Sequence, residues 1–445
     1  AIIIVSVLVN LVGALGPELS FDALWYHLTL PKLYLTWKKM PVIPGGLLYY
    51  SGMPQLIELF YLGALAISNE ILAKLIHWAF GVGCLILFYR ILRRYFNRDL
   101  SLLGVMIFYV TPAVGWLSTT AYIDLGRTFF ELLALGFFLR WIEEEKSQWL
   151  DLTGLAMGLA LSTKHLAWES MIVYWLIILW LKRNNIKVAF YEVIRFTFWA
   201  LLVVWPWYFR AWKATQNPFY PLFTQYVSNP IKSSPKNFLA PFLLFWRLTF
   251  KPKSIFTPIP LLLLPLAFLG LARANRTVKI AALMSFLVMM GSIIFPNYNI
   301  RYYLPYVPLL IMVCLTAFTF RWKYQHQANR FLFLIIFFVS LIHLGIRIVA
   351  NTKFVPVLLG RQTKDEFLSQ HLNFEFGDFY DVDGFFIVHT SGKVIPIEIK
   401  EKFPAGENQN KFFGIDAGRV LMLLRLCLPN DSNALYIIRE VDDSP

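Results

Sequence analysis

The sequence predicts an all-α polytopic membrane protein of about eleven transmembrane helices, followed by a small α/β soluble segment. Three observations predict it. Hydrophobic residues make up 58% of the chain and charged ones 15%, with a mean hydropathy of +0.57. A soluble chain is about a quarter charged, so too little polar surface remains here to cover a water-facing shell. Apolar stretches long enough to cross a bilayer core of roughly 30 Å recur from Ala1 to Val349. After about Asn373 they stop, and short alternating runs replace them.

The first run, Ala1–Leu15, opens without Met or a charged leader and reads as a helix that has lost its start, not as a cleaved signal. Further spans are predicted over Glu70–Leu92, Leu100–Leu117, Ile123–Ile142, Trp149–Thr163 and Trp168–Leu181. They continue with Phe190–Tyr208, Ile255–Leu271, Val278–Phe295, Tyr302–Thr319 and Phe331–Val349. Met53–Ile67 is apolar but short; it reads as a juxtamembrane helix or as the outer part of a long, tilted second helix. These spans define a bundle over 1–350, a linker over 351–373 and a soluble segment over 374–445. The cysteines Cys84, Cys314 and Cys427 lie far apart and outline neither a disulfide framework nor a metal site.

The net charge of +14 follows the loops. If the first loop is outside, the inside loops carry Arg90, Arg93, Arg94 and Arg98, then Lys182, Arg183 and Lys187. Arg273, Arg276, Lys279, Arg321, Lys323 and Arg330 extend the pattern. The short outer connections hold mainly Lys164 and Arg301. That asymmetry is the positive-inside pattern, and it also denies Met53–Ile67 a full crossing. Two large loops then face out, 16–52 and 210–254, the latter rich in Pro, Asn and aromatics. Long ordered loops beside a membrane usually serve a function.

Four charged residues on this outer side need a reason. Asp22 lies among Phe21, Leu24 and Trp25, where partial desolvation makes a carboxylate a better base; as an alternative, Ser20 and Asp22 cap a short helix. Asp124 sits at the outer mouth of the next helix pair and can converge with Asp22. Together they would activate an acceptor hydroxyl or amine, or hold a divalent cation such as Mg or Mn; otherwise Asp124 pairs with Arg127 along its own helix. Arg301 and Lys164 break the positive-inside pattern and suit a lipid phosphate, or else they snorkel toward headgroups. His27, His77 and His165 have no metal-ligand spacing and read as structural.

Taken together, several blocks resemble the GT-C superfamily of membrane glycosyltransferases, of the protein mannosyltransferase and aminoarabinose transferase type. They are the outer-loop Asp22, Tyr26-His27-Leu28 with Pro31, Tyr50 with Pro54, and Ala121-Tyr122-Ile123-Asp124. The others are Gly158-Leu159-Ala160 with Thr163-Lys164, Trp205-Pro206-Trp207-Tyr208-Phe209-Arg210, Asn217-Pro218 with Tyr220-Pro221, and Arg301-Tyr302-Tyr303-Leu304-Pro305. The similarity runs to about Asn373. It implies sugar transfer from a polyprenyl-phosphate donor to a lipid, glycan or protein acceptor, on the extracytoplasmic face of a bacterial inner or plasma membrane. It implies Asp22 as catalytic carboxylate, Asp124 as the second acidic position, Arg301 and Lys164 on the donor phosphate, and Glu18, Tyr26 and His27 in a substrate loop. Many relatives carry a second acidic residue beside the first; here Ala23 follows Asp22, which puts a metal in question.

The tail has another pattern. Gly384–His389, a Thr390-Ser391-Gly392-Lys393 turn and Val394–Lys400 read as a hairpin, with a helix near Gly418–Cys427 and a strand near Ala434–Val441. Asp383, Glu398 and Lys400 resemble the PD-(D/E)xK nuclease core, in which carboxylates hold Mg and the Lys assists water; an ordinary charged hairpin fits as well. The predicted topology puts this tail outside, so nucleic acid enters as a partner only if the tail is an active nuclease.

Two rival readings remain beside the transferase. One is a transporter or flippase for a lipid or polysaccharide precursor, which would carry ionisable residues mid-helix, whereas Asp124, Lys164 and Arg301 lie near span ends. The other is a membrane-tethered nuclease, for which this many spans are more than an anchor needs.

Overall fold

The computed structural model describes residues 1–44, 46–224, 257–291, 300–319 and 323–372, and the backbone of strands Gly384–Val388, Lys393–Lys402 and Leu435–Glu440. The chain divides into two units, 1–44 with 49–358, and 45–48 with 359–445.

The first unit is a helical bundle. Helix α1 is Ile2–Leu15. The loop after α1 is itself helical: a π-helical turn, Ala23–His27, runs into α2, Thr29–Trp37. Helix α3, Leu56–Ile67, ends at Ser68, and α4, Glu70–Leu92, starts two residues later, capped by the Asn69 side chain, which accepts from Ile71 N–H at 2.9 Å. Met53–Ile67 is therefore not the outer part of one long helix. Its twelve-residue helix is about 18 Å long, short of a bilayer core, and packs back on α4.

The predicted span Leu100–Leu117 is broken. Helix α5, Arg98–Val110, stops at Thr111, whose ψ of 125° is the extended conformation expected before proline, and α6, Pro112–Leu117, restarts on Pro112. Helix α7, Asp124–Glu144, is buried on most of its circumference and packs against α4 and α8, Ser147–Thr163. Helices α9, Ala167–Leu181, and α10, Ile186–Thr215, follow. Helix α10 holds 30 residues, more than predicted, and carries Pro206 inside. It lies against α8 at Gly154 and Gly158, where an added Cβ would come within 2.6 Å of the carbonyls of Phe196 and Ala200. This small-xxx-small contact lets two backbones touch in a setting where apolar side chains have no preference for each other over lipid.

Helices α11, Ile259–Leu271, and α12, Arg276–Gly291, precede a segment of four short pieces: α13, Ile300–Tyr303, a 3₁₀ turn Leu304–Tyr306, α14, Val307–Leu315, and a second 3₁₀ turn. Helix α15 runs over Gln325–Thr352. Among the described residues, four stretches are long and apolar enough to cross a membrane: Glu70–Leu92, Ile186–Thr215, Arg301–Thr319 and Gln325–Thr352. On α10 and α15 large apolar side chains face outward, among them Ile194 at 65% and Phe331 at 64% exposure. Such faces are stable against lipid and not against water, so the chain is an integral membrane protein.

The stretch 351–373, expected as a linker, carries helical turns at Val355–Leu358 and Lys364–Leu372. The second opens on a capping box: Glu366 N–H donates to Thr363 Oγ1 and Thr363 N–H to Glu366 Oε2 at 2.9 Å. In the second unit the first two strands pair antiparallel, with Phe386 opposite Ile395. The second and third pair parallel, with Ile399 opposite Ile437. The helix expected near Gly418–Cys427 lies outside the described residues, as do Asp383 and the side chains of Glu398 and Lys400.

Candidate active site

The site is assembled on the loop between α6 and α7. Tyr122 accepts the backbone N–H of Asp22 at its phenol, at 3.3 Å, and its own carbonyl accepts the hydroxyl of Tyr61. Glu18, buried, binds this loop to the chain end after α1. Its Oε2 accepts the N–H of Ala121 at 2.5 Å, and its Oε1 accepts those of Leu19 and Ser20 at 2.9 and 2.8 Å. Both oxygens are thus committed to backbone, and Glu18 positions the loop. His77 of α4 holds the other side. Its Nδ1 faces the carbonyls of Leu117 and Thr120 at 2.9 and 2.8 Å, so that nitrogen carries the proton, and Nε2 accepts Leu125 N–H at 3.0 Å. That N–H is one of the orphan donors of the first turn of α7.

On this frame two ion pairs form side by side. Arg301 Nη1 donates to Asp22 Oδ2 at 2.7 Å, and Lys164 Nζ to Asp124 Oδ1 at 2.8 Å. Tyr302 lies beneath both cations, its ring 4.9 Å from Lys164 Nζ and 5.5 Å from the Arg301 guanidinium. Tyr122 also faces Arg301 across 4.8 Å. Asp124 begins α7, where the helix dipole favours an anion. Its Oδ2 is buried and has no hydrogen-bond partner among the described residues.

Two sequence alternatives are corrected. Asp124 does not pair with Arg127; it pairs with Lys164 from the α8–α9 turn, because Arg127 points away to Glu131. Asp22 does not cap the helical turn it precedes, since no side-chain cap bond forms and its carboxylate reaches Arg301. Asp22, Asp124, Lys164 and Arg301 do converge, as two cross-paired couples.

The remaining loop residues line one edge. Tyr26 stacks on Tyr50 with centroids 4.0 Å apart, and Trp25 meets Tyr50 edge-on at 5.1 Å. Burial, and next the Asp22 carboxylate, push the Tyr26 phenol far above the ordinary tyrosine range. Burial raises Tyr122 from 10.0 to about 12, so both phenols stay protonated at neutral pH. His27 is buried with its Nδ1 2.7 Å from Glu58 Oε1. His165 is buried in the α8–α9 turn next to Lys164 and stacks on Tyr208.

Other residues have roles that the sequence did not assign. Arg210 near the C-terminal end of α10 donates to the carbonyls of Met40 and Pro41 at 3.1 and 3.2 Å and ties down that stretch of the first loop. Lys74, fully buried in α4, donates to the carbonyls of Gly13, Gly16 and Pro17 and closes the end of α1. Arg127 and Glu131, one helical turn apart in α7, form a buried pair at 2.6 Å. Ionisable groups are thus not confined to span ends, contrary to the argument used against a transporter. The i, i+4 spacing of Arg127 and Glu131 on an apolar helix was the available signal.

Residues 54–209 match the sequence model of the family described as dolichyl-phosphate-mannose-protein mannosyltransferase. A search of curated proteins finds no match. Among solved structures, ArnT from Cupriavidus metallidurans in the apo state aligns with a TM-score of 0.56 at 14% identity, over 83% of this chain and 74% of that one. The same enzyme bound to undecaprenyl phosphate aligns at 0.57 and 13% identity, with the same coverage of both chains. The chain has a GT-C fold. It is shared with ArnT over most of this chain and is the fold that the sequence blocks implied. None of these comparisons supports the nuclease-like reading of the tail.

Proposed function

We propose that this protein transfers a sugar from a polyprenyl-phosphate-linked donor to an acceptor on the extracytoplasmic face of the membrane. The observation that carries the reading is the double pair Asp22–Arg301 and Asp124–Lys164 around one tyrosine ring, at the outer ends of apolar helices. Binding of undecaprenyl phosphate by ArnT, whose fold this chain shares, supports the donor class. The proposed topology keeps about eleven crossings with the basic loops inside.

Each cation is held by a carboxylate that a phosphate oxygen can replace. A donor phosphate seated on Arg301 and Lys164 competes with Asp22 for the guanidinium, and the carboxylate is released toward the acceptor. In an inverting displacement the acceptor oxygen or nitrogen forms a bond to the anomeric carbon as the carbon–oxygen bond to phosphate breaks. The electron pair leaves on the phosphate, where Arg301 and Lys164 offset the charge, and the acceptor's proton passes to Asp22. Asp124, with its free Oδ2, holds Lys164 in place and offers an acceptor to a sugar hydroxyl. Tyr26 and Tyr50 supply an aromatic wall for the sugar ring.

The donor set does not fit a divalent cation. Asp22 and Asp124 each face a basic side chain, and among the described residues no group of three or more His, Cys, Asp or Glu stands ready to hold a metal. No step is therefore routed through one.

The test is transfer of labelled sugar from polyprenyl-phosphate donors in proteoliposomes, comparing wild type with Asp22→Asn. Loss of transfer in the variant supports the reading, and undiminished transfer removes Asp22 from the mechanism. The buried Arg127–Glu131 pair favours one rival, a transporter. Movement of labelled lipid across the bilayer with no transfer from any donor would establish that rival instead. A reporter fused after Pro445 reads the topology, and a cytoplasmic signal overturns the span count.

A further inference from the structure

We infer that Arg127, clamped by Glu131, is a positioning residue that sets the spacing of the two phosphate-facing cations. The inference rests on the function proposed above and concerns how that site is held. Arg127 is fully buried, yet every nitrogen of its guanidinium is used. Nε binds Glu131 Oε1 at 2.6 Å; Nη1 donates to the carbonyl of Tyr302 at 3.2 Å; Nη2 donates to the carbonyl of Leu166 at 3.1 Å and to the Tyr306 hydroxyl at 3.3 Å.

The two carbonyls identify the role. Tyr302 directly follows Arg301, and Leu166 lies two residues after Lys164. Both belong to breaks in helical structure. Lys164 is extended, with φ −159° and ψ 134°, at the end of α8, and Tyr302 lies where α13 gives way to a 3₁₀ turn. Tyr302 lies where the helical run is interrupted, and the Leu166 carbonyl, at the start of α9, accepts Glu169 N–H at 3.2 Å; in a low-dielectric interior a fixed planar donor adds a strong bond to each. One guanidinium therefore couples the two backbone stretches that carry Lys164 and Arg301.

Glu131 keeps the donor in register. It receives the Ser170 hydroxyl as well as Arg127, and Ser170 lies 3.0 Å from the Tyr306 hydroxyl, so α7, α9 and the 304–306 turn share one network. A lysine in place of Arg127 keeps the charge opposite Glu131 but presents a single nitrogen, which cannot span both carbonyls.

The experiment measures binding of polyprenyl phosphate to detergent-solubilised full-length protein, together with thermal melting and transfer kinetics. The variants are Arg127→Lys, Arg301→Lys and their combination. Arg127→Lys is expected to raise the Kd about tenfold, with a melting temperature near that of wild type. The combined variant is expected to bind better than the product of the two single effects, since one geometry is lost only once. Unchanged affinity in folded Arg127→Lys, or effects that simply multiply, would overturn the inference and leave Arg127 as bundle packing. If Arg127→Lys does not fold, Tyr306→Phe removes one acceptor of Arg127 together with the hydroxyl's contacts to Ser170 and Glu169; it is expected to weaken binding in the same direction, and unchanged binding overturns the inference. Failure of wild type to bind polyprenyl phosphate would instead refute the proposed function.

Discussion

Asp22 and Arg301, 279 positions apart in the chain, meet at 2.7 Å with side chains only 18% and 11% exposed. The pair gives each partner a second task. Asp22 restrains the cation that the proposed donor phosphate needs, and Arg301 occupies the carboxylate that the acceptor needs. Under the proposed function, such a site would stay idle until the donor arrives.

Competition between Asp22 and the donor phosphate leads to opposite signs for binding and turnover. Asp22→Asn is expected to leave polyprenyl-phosphate affinity unchanged or tighter, because the guanidinium is freed, while kcat falls by about 10²–10⁴. Equilibrium binding and initial rates on one preparation check it. A parallel loss of affinity would show that Asp22 acts in binding.

Removing phosphate neutralisation has a different signature. Arg301→Met is expected to lower kcat/KM by about 10²–10³, and Arg301→Lys to recover part of it, since a point charge replaces a bidentate fork. Steady-state kinetics with varied donor checks it. Equal activity in wild type and Arg301→Met would exclude this residue from the donor site.

The Asp124–Lys164 pair is more deeply buried, with Asp124 at 1% exposure. Lys164→Met removes the cation hydrogen-bonded to that carboxylate and leaves only the more distant Arg301 charge, and the expected cost is up to about 3–5 kcal/mol. The double variant Lys164→Met/Asp124→Asn removes the orphaned charge and is expected to regain most of that stability without regaining transfer. Melting temperatures of the three proteins decide it; a double variant no more stable than the single one would contradict the argument.

His165 has a pH signature. Burial lowers its pKa from 6.5 to about 4, against a weaker opposing effect of the Tyr220 carbonyl. Between those values the unfolded chain binds a proton that the folded chain does not, so this stabilisation is complete above 6.5 and is lost as pH falls toward 4. His165→Gln is expected to flatten the melting temperature between pH 7 and pH 4, the range that spans the window, relative to wild type. Identical slopes in the two proteins would mean that another group titrates there.

The α8–α10 contact is the steric prediction. Gly158→Ala places a Cβ against the Ala200 carbonyl and Gly158→Leu a whole side chain. Alanine is expected to cost about 1–3 kcal/mol, and leucine to abolish stable folding. Thermal melting and size-exclusion profiles in detergent measure both.

What the sequence determined by itself was whatever depends on a residue and its immediate neighbours. Apolar run length and loop charge were enough for a helical membrane protein, because lipid leaves the backbone no other way to satisfy its hydrogen bonds. The same local reading placed Asp124, Lys164 and Arg301 near helix ends and Asp22 in the loop after the first helix. It failed where a helix breaks without losing hydrophobicity, as at Thr111-Pro112 and along 300–306, since a hydropathy window averages over such breaks. Partner choice was beyond it altogether. Asp124 has Arg127 one turn away, yet binds Lys164 forty residues on, because the α8–α9 turn brings an extended lysine to its carboxylate while Glu131 claims the arginine. Which charges meet is settled by how helices pack and where they break, and only the tertiary structure contains that.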